Sequence, residues 1–332
     1  MRDIPPLSAS SLAGFPPKYR PSSPNFNPQP YNMKTGLLFS GQGAQSVGMA
    51  KSLYENCEAV RELFDRADDA LSMKLSKYCF EGPSSELTKT SICQPALFLH
   101  GFAAVEAMRQ KGILGEPSTA LGLSLGELTA HAFAGTFSFE TGLKIVAERG
   151  RLMQEACDAS KGAMASFIGG TPEDVAAYCR EFDVDMSNVN CPGQVVISGE
   201  EAKVAAAVGA AKERKAFKMV VPLKVAGAYH SRLMEPARRA FAEYLEGIEF
   251  KSPRIPVFTN VTGDAVFDPS EIKKNLVKQV VSTVRWEDCV RNAAKLGIDQ
   301  FYECGPGGVL AGMVRRIDKS LNVKSISEYS DL

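Results

Sequence analysis

The chain has 332 residues, of which 45% are hydrophobic and 23% are charged, and its 38 basic residues balance its 38 acidic residues to a net charge of +0. A balanced chain has no overall field to attract nucleic acid or an anionic membrane, and no apolar run reaches the roughly 18 residues of a membrane span, so we expect neither partner. The eight cysteines contain no CxxC pair and there are only three histidines, so we expect no metal site and no disulfide framework.

Residues 1–32 differ in composition from the rest of the chain. They are rich in proline and serine and lack apolar periodicity, so they cannot bury enough surface to fold alone. Two interpretations stay open. The segment is either a dispensable extension of a cytoplasmic bacterial protein, whose natural start is Met33, or a transit sequence that directs the protein to a plastid.

From residue 33 the pattern alternates between short apolar runs and helical periodicity, which predicts a mostly parallel sheet covered by helices. We assign 33–159 and 227–332 to one large α/β domain. The predicted strands are 36–39, 118–123, 255–259, 300–303 and 323–327, and the predicted helices are 94–110, 124–134, 139–154, 270–282, 286–296 and 308–318.

Residues 160–226 follow a different rhythm. The predicted order is strand 162–168, helix 172–181, strands 186–190 and 194–198, helix 200–214 and strand 218–225. A β-α-β-β-α-β order is typical of a ferredoxin-like unit. We therefore expect a small domain inserted into the large one.

The sequence Gly122-Leu123-Ser124-Leu125-Gly126 is a G-x-S-x-G motif between a predicted strand and a predicted helix. Glycines on both sides permit the sharp turn that presents a serine hydroxyl, and the helix N-terminus favours developing negative charge. Ser124 is the predicted nucleophile, and the backbone N–H of Leu125 is a predicted donor to the oxyanion.

A serine hydroxyl needs a base, and only three histidines are available. His131 lies seven residues after Ser124 on the same helix, roughly 10 Å along its axis, which is too far for a hydrogen bond. His100 falls within the long helix, where a core or solvated role is favoured. His230 lies in a loop where the small domain rejoins the large one, and clefts between domains are preferred sites. By elimination His230 is the predicted base.

Five segments resemble the malonyl-CoA:acyl-carrier-protein transacylases of type II fatty-acid synthesis, in the same order across about 34–328. They are Gly41-Gln42-Gly43-Ala44-Gln45-Ser46-Val47-Gly48-Met49, the elbow that ends at Glu127, Arg149-Gly150 with Met153-Gln154, Pro192-Gly193-Gln194-Val195-Val196, and Gly305-Pro306-Gly307. The family fold is a hydrolase-like α/β domain with a ferredoxin-like insert, in agreement with the pattern above.

The resemblance implies transfer of a malonyl group from malonyl-CoA to the pantetheine thiol of acyl-carrier protein, through a malonyl-serine. It implies that the backbone N–H of Gln42 is the second oxyanion donor, that Arg149 binds the malonyl carboxylate, and that the backbone carbonyl of Gln279 orients His230. The residues alone favour a solvated Arg149 and do not prefer it to Arg151. No cofactor is implied, since the coenzyme A thioester is a substrate, and we expect a monomer.

Two positions depart from the family pattern. Leu123 replaces a frequent histidine before the nucleophile, and Tyr229 stands before the base, where phenylalanine or serine is common. Because that second position lines the acyl pocket, selectivity for malonyl over methylmalonyl groups stays open. Carrier proteins are acidic, so a basic surface near the site is expected, with Lys273, Lys274, Arg315, Arg316 and Lys319 as candidates.

Three alternatives remain at this stage. An esterase or thioesterase shares the elbow but would need an acid and a histidine nearer the C-terminus than His230. A scaffold without activity is disfavoured because every proposed site position is filled. An acyltransferase of polyketide synthesis is close in every feature.

Overall fold

The computed structural model describes residues 33–332, so both interpretations of residues 1–32 lie outside the described residues. Within 33–332, no helix combines the length and apolar character that crossing a membrane requires. All eight cysteines lie in this part of the chain, and each is a buried free thiol.

Nine strands form two sheets in the described part of the chain. The strands are β1 (Thr35–Phe39), β2 (Thr119–Gly122), β3 (Gly162–Ile168), β4 (Asp185–Cys191), β5 (Gln194–Glu200), β6 (Met219–Pro222), β7 (Val284–Arg285), β8 (Gln300–Cys304) and β9 (Asn322–Ile326).

Helices connect and cover these strands. They are α1 (Lys51–Asn56), α2 (Glu58–Leu71), α3 (Leu75–Glu81), α4 (Ser84–Leu87), α5 (Thr90–Gln110), α6 (Leu125–Phe133), α7 (Phe139–Asp158), α8 (Pro172–Phe182), α9 (Glu201–Glu213), α10 (Glu235–Glu246), α11 (Pro269–Gln279), α12 (Trp286–Ala294) and α13 (Val309–Ile317).

The first sheet has the order β2-β1-β8-β9, and its neighbouring strands are all parallel. Successive side chains of a strand point to opposite faces. In β1, Leu37 and Phe39 enter one hydrophobic core while Leu38 enters another. Both faces of this sheet are therefore covered, as the alternating pattern predicts.

The second sheet is mixed and has the order β6-β3-β5-β4-β7. Its first four strands pair antiparallel, whereas β7 pairs parallel with β4 and comes from beyond residue 226. Helices α8 and α9 bury residues of this sheet in a separate core that includes Phe167 and Ile197. The predicted β-α-β-β-α-β order is present in these elements.

The predicted strand at 255–259 is wrong. Only single bridges form there, between Val257 and Ala120 and between Phe258 and Ala265. Pro256 accepts hydrogen bonds from Ala120 and Thr119 through its carbonyl, but it has no N–H to continue a ladder. Helices α1 to α4 and α10 have no counterpart among the predicted elements.

Two turns meet at the carboxyl edge of the first sheet. Phe39 and Gly122 are register partners at the ends of β1 and β2, so the segments after these strands emerge side by side. The Leu123 N–H donates to the Phe39 carbonyl at 3.2 Å. A Cβ atom at Gly41 would lie 2.7 Å from the Leu123 carbonyl oxygen, so this approach requires glycine.

Gly122→Ala is expected to destabilise the protein by more than about 3 kcal/mol, above the ordinary range for overpacking. The added Cβ would lie 1.8 Å from the Gly126 carbonyl carbon and 2.4 Å from the Glu127 nitrogen, so the backbone of α6 would have to shift away from β2. The measurement is thermal and urea unfolding. The matched control is Gly115→Ala, where an added Cβ would meet nothing within 4 Å. Equal unfolding midpoints for the two variants would contradict the prediction.

Candidate active site

Ser124 stands in the turn between β2 and α6 in a strained conformation. Its φ of 56° and ψ of −107° lie in a region that residues with a side chain rarely adopt. The Asn260 amide holds this turn, because Oδ1 accepts from the Ser124 N–H at 2.7 Å and Nδ2 donates to the Gly122 carbonyl at 2.9 Å. The strain is thus retained by a buried side chain that is distant in sequence.

The imidazole of His230 lies beside the serine hydroxyl. Its Nε2 is 2.8 Å from Ser124 Oγ, and its Nδ1 is 2.8 Å from the backbone carbonyl oxygen of Gln279. A carbonyl only accepts hydrogen bonds, so Nδ1 carries the proton and Nε2 presents a lone pair to the hydroxyl. His230 also has positive φ, at 58°. The pair has the geometry of a nucleophile and a general base.

Burial, together with the positive charge of Arg149, lowers the pKa of His230 to about 4, while the bond to the Gln279 carbonyl opposes both effects. The imidazole is therefore neutral at physiological pH. Within the described residues, no carboxylate accepts a hydrogen bond from this ring.

Arg149 projects from α7 into the same site and is 1% exposed. Its Nη1 donates to Gln94 Oε1 at 2.8 Å, and its Nη2 donates to Gln279 Oε1 at 2.8 Å and to Ser124 Oγ at 3.2 Å. Arg151 instead faces outward and forms ion pairs with Glu148 and Glu155. The residues alone favoured a solvated Arg149, and this prediction is wrong because Arg149 lies on the face of α7 that packs against the core.

Burial lowers the pKa of Arg149 to about 10, and the nearby Glu127 carboxylate opposes this shift. The guanidinium stays charged at neutral pH. None of its hydrogen-bond partners in residues 33–332 is an acid. A buried cation with neutral partners is suited to bind an anion.

Glu127 and Asn260 complete a polar network behind the nucleophile that the sequence interpretation did not include. Glu127 is fully buried, and its Oε2 accepts from the Asn260 N–H at 2.9 Å and from Gln279 Nε2 at 2.7 Å. Gln279 Nε2 also donates to the Ser124 carbonyl at 2.9 Å. Burial raises the pKa of Glu127 to about 6, although these bonds and Arg149 oppose it. Glu127 ends the elbow motif, whereas Asn260 carries no local signal.

The two predicted oxyanion donors lie at the same edge of the first sheet. Leu125 is the first residue of α6, and Gln42 is in the turn after β1. In the described part of the chain, neither backbone N–H donates to a protein acceptor. Two N–H groups without protein acceptors in adjacent turns are consistent with the predicted oxyanion site, which stays a prediction.

The five candidate basic residues fall into two separate groups. Lys274 lines a cleft of about 860 Å³ between α10 and α11, whereas Lys273 in the same cleft donates to the Leu245 and Ile248 carbonyls. Arg315 and Arg316 end α13, and Lys319 precedes β9. Since α13 begins at the carboxyl edge of the sheet, its far end lies at the opposite edge from Ser124.

Lys278, which the sequence interpretation omitted, lies closer to the site. It lines the cleft that contains Lys274 and also a second cleft of about 570 Å³ that His230 lines. Within residues 33–332, no three histidine, cysteine or acidic side chains converge as metal ligands would.

The acyl transferase domain family matches residues 37–329 of this chain. A malonyl CoA-acyl carrier protein transacylase of Bacillus subtilis strain 168 is 39% identical over 300 residues, which are 89% of this chain and 94% of that protein. The chain belongs to the malonyl-CoA:acyl-carrier-protein transacylase family. It is an acyltransferase, as the resemblance of its motifs implies.

Solved structures of family members agree with this fold. The acyl-carrier-protein S-malonyltransferase of Bartonella henselae is 37% identical and aligns with a TM-score of 0.86 over 90% of this chain and 97% of that one. A malonyl-transacylase in complex with its type II PKS acyl-carrier protein is 36% identical, with a TM-score of 0.86 over 90% of this chain and 97% of that one. The fold of these structures therefore accounts for 90% of the chain.

The rate of Ser124 acylation is expected to be constant from neutral pH down to about pH 5 and to fall below it, because a pKa of about 4 keeps His230 unprotonated in that range. Single-turnover acylation by malonyl-CoA at each pH measures this profile. Fluorescence of Trp286, the one tryptophan, monitors folding at each pH.

Glu127, with a pKa of about 6, titrates in the same range. The profile is therefore also measured in Glu127→Gln, which keeps an acceptor oxygen, and it should again be flat down to about pH 5. An acid limb centred at or above about 6.5 in both proteins would contradict the assignment and indicate a carboxylate partner of His230.

Proposed function

We propose that this acyltransferase moves a malonyl group from malonyl-CoA to the pantetheine thiol of an acyl-carrier protein, by a ping-pong mechanism through a malonyl ester of Ser124. One observation carries the proposal. The Ser124 hydroxyl lies 2.8 Å from His230 Nε2 and 3.2 Å from a buried guanidinium that has no acidic partner among the described residues.

The first half-reaction loads the serine. His230 Nε2 accepts the hydroxyl proton as Ser124 Oγ attacks the thioester carbonyl carbon, and the backbone N–H groups of Gln42 and Leu125 stabilise the oxyanion. The carbon–sulfur bond then breaks. The coenzyme A thiolate leaves and receives the proton from His230, which returns to the neutral form.

The second half-reaction transfers the malonyl group from Ser124 to the carrier protein. The carrier-protein thiol transfers its proton to His230, and its sulfur attacks the ester carbonyl. The Ser124–acyl bond breaks, and the serine oxygen recovers the proton from Nε2. The thiols of coenzyme A and of the carrier protein belong to the substrates, and every other group that acts on the acyl carbon in this scheme comes from the polypeptide.

Arg149 selects an acyl group that ends in a carboxylate. A planar guanidinium can form two parallel hydrogen bonds to a carboxylate, which lysine cannot. Malonate places its carboxylate two carbons from the reacting carbonyl, and Arg149 Nη2 is already 3.2 Å from the nucleophile. The side-chain oxygens of Gln94 and Gln279 accept from Nη1 and Nη2 and hold the guanidinium in place.

We also assign 33–159 and 227–332 to a hydrolase-like domain and 160–226 to a ferredoxin-like insert, in a protein that acts as a monomer. The strand order β6-β3-β5-β4 supports the second assignment. The strand–elbow–helix arrangement at β2, Ser124 and α6 supports the first.

Incubation with malonyl-CoA alone should add one malonyl mass to the protein, and Ser124→Ala should abolish that adduct. The measurement is intact-protein mass spectrometry followed by peptide mapping. Ser85→Ala, which changes an exposed serine of α4, is the matched control and should load like the wild type. An adduct that persists in Ser124→Ala would exclude this nucleophile, and malonate release without transfer to a carrier protein would favour a thioesterase.

Lys274→Glu with Lys278→Glu is expected to reduce transfer to an acidic carrier protein about tenfold at low salt, while loading from malonyl-CoA changes less than twofold. Lys278 lines the cleft that His230 also lines, and Lys274 lines the neighbouring cleft that Lys278 shares. Lys319→Glu, at the opposite edge of the first sheet, is the control. Equal losses in loading and transfer, or an equal effect of Lys319→Glu, would contradict the proposed surface.

A further inference from the structure

Three polar side chains form a closed hydrogen-bonded triangle beside the site, and the scheme above does not use it. The hydroxyls of Thr90 and Tyr229 are 2.5 Å apart, and Gln42 Nε2 donates to the Tyr229 hydroxyl at 3.2 Å and to Thr90 Oγ1 at 3.3 Å. Thr90 is fully buried and Tyr229 is 6% exposed. Burial raises the pKa of the Tyr229 phenol, so it keeps its proton and can donate.

The triangle joins three separate segments of the chain. Gln42 belongs to the segment between β1 and α1, which has no helix or strand over residues 40–50. Tyr229 directly precedes His230. Thr90 begins α5, and its N–H is fixed by Gln154 Oε1 of α7 at 3.0 Å. The amide of Gln42 therefore ties an irregular segment to two well-anchored ones.

Few other hydrogen bonds fix the position of the Gln42 backbone, although the preceding Gly41 packs closely against the Leu123 carbonyl. Within the described residues, the neighbouring Gly43 N–H bonds to Gln45 Oε1 of the same segment, at 2.7 Å. The next backbone bond from this segment to another element is at its far end, where Gly48 donates to the Cys79 carbonyl at 2.8 Å. The side chain of Gln42 is thus the local link between the proposed oxyanion N–H and the segment that carries the base.

We propose that Tyr229 and Thr90 are positioning residues, whose hydroxyls set the backbone N–H of Gln42 relative to Ser124 and His230. This inference rests on the proposed function, in which that N–H stabilises the oxyanion. Loss of one such donor typically costs about 100- to 1,000-fold in rate, and displacement of the donor costs part of that. The role acts on the transition state of any thioester, and it is distinct from a contact with the acyl chain.

Tyr229→Phe removes the hydroxyl and keeps the ring. We expect single-turnover acylation by malonyl-CoA to slow about tenfold with less than a twofold change in apparent affinity, and acetyl-CoA to slow by the same factor. A changed ratio of malonyl to acetyl rates would overturn the inference in favour of acyl selection by this residue. An unchanged rate with a lower melting temperature would overturn it in favour of a purely structural role.

Thr90 provides an independent test. Thr90→Val removes the second hydroxyl and should slow both thioesters about as much as Tyr229→Phe, whereas Thr90→Ser keeps a hydroxyl and should restore the rate to within about twofold. Both substitutions disrupt the same hydrogen-bonded triangle around Gln42. The double variant Tyr229→Phe with Thr90→Val should therefore be no more than about threefold slower than either single variant. Multiplicative losses in the double variant would contradict a shared link.

Tyr178→Phe is the matched control, since its hydroxyl is buried without a partner in the described residues and belongs to the core under α8. It should leave both rates unchanged. Different results would refute the proposed function and the positioning role. A wild-type protein that forms no acyl adduct would refute the proposed function, whereas a Tyr229→Phe protein that loads as fast as the wild type would refute only the positioning role.

Discussion

The site depends on two strained backbone positions that face each other. Ser124 and His230 both have φ near +60°, which costs roughly 1–3 kcal/mol at residues other than glycine. Neither would keep this conformation in an isolated loop. Each persists because buried side chains from elsewhere in the chain hold the backbone. The Asn260 amide accepts from the Ser124 N–H, and Ser198 donates to the Tyr229 carbonyl, which belongs to the peptide bond before His230. In these backbone conformations Ser124 Oγ lies 2.8 Å from His230 Nε2.

A single amide connects the charged and neutral parts of the site. The Gln279 side chain donates to Glu127 and accepts from Arg149, so a neutral amide lies between the buried carboxyl group and the buried guanidinium and bonds to both. This arrangement leaves the guanidinium without a protein carboxylate among the described residues, as the proposed binding of a substrate carboxylate requires. The backbone carbonyl of the same residue accepts from His230 Nδ1. Gln279, at the end of α11, therefore contacts both the proposed base and the proposed carboxylate-binding residue.

The second sheet contributes to the site by contacting the segment from Gly227 to His230, which carries the proposed base. Ser198 of β5 donates to the Tyr229 carbonyl at 2.8 Å, and added Cβ atoms at Gly162 and Gly227 would lie 2.6 Å from the Ala228 nitrogen and 2.4 Å from Cys157 Sγ. The segment from Gly227 to His230 is consequently packed between β3, β5 and α7. The second sheet thus helps to position the imidazole that the proposed mechanism uses as the base.

The sequence by itself determined the alternating α/β pattern, the β-α-β-β-α-β order and the strand–elbow–helix context of Ser124, because these follow from local periodicity and from glycine spacing. The scarcity of histidine narrowed the choice of base to His230. Local patterns could not place Arg149, since Arg149 and Arg151 have the same local context and only the packing of α7 makes one face the site.

Tertiary structure decided the remaining features. The bond from His230 to the Gln279 carbonyl, the support from Asn260 and the triangle of Gln42, Thr90 and Tyr229 join residues that are 48 to 187 positions apart. Tertiary structure also explains why 255–259 is not a strand as predicted. A β-like run becomes a strand only where a neighbouring strand offers partners and its own N–H groups can complete the ladder. Long-range hydrogen bonds leave no periodic trace in a single sequence.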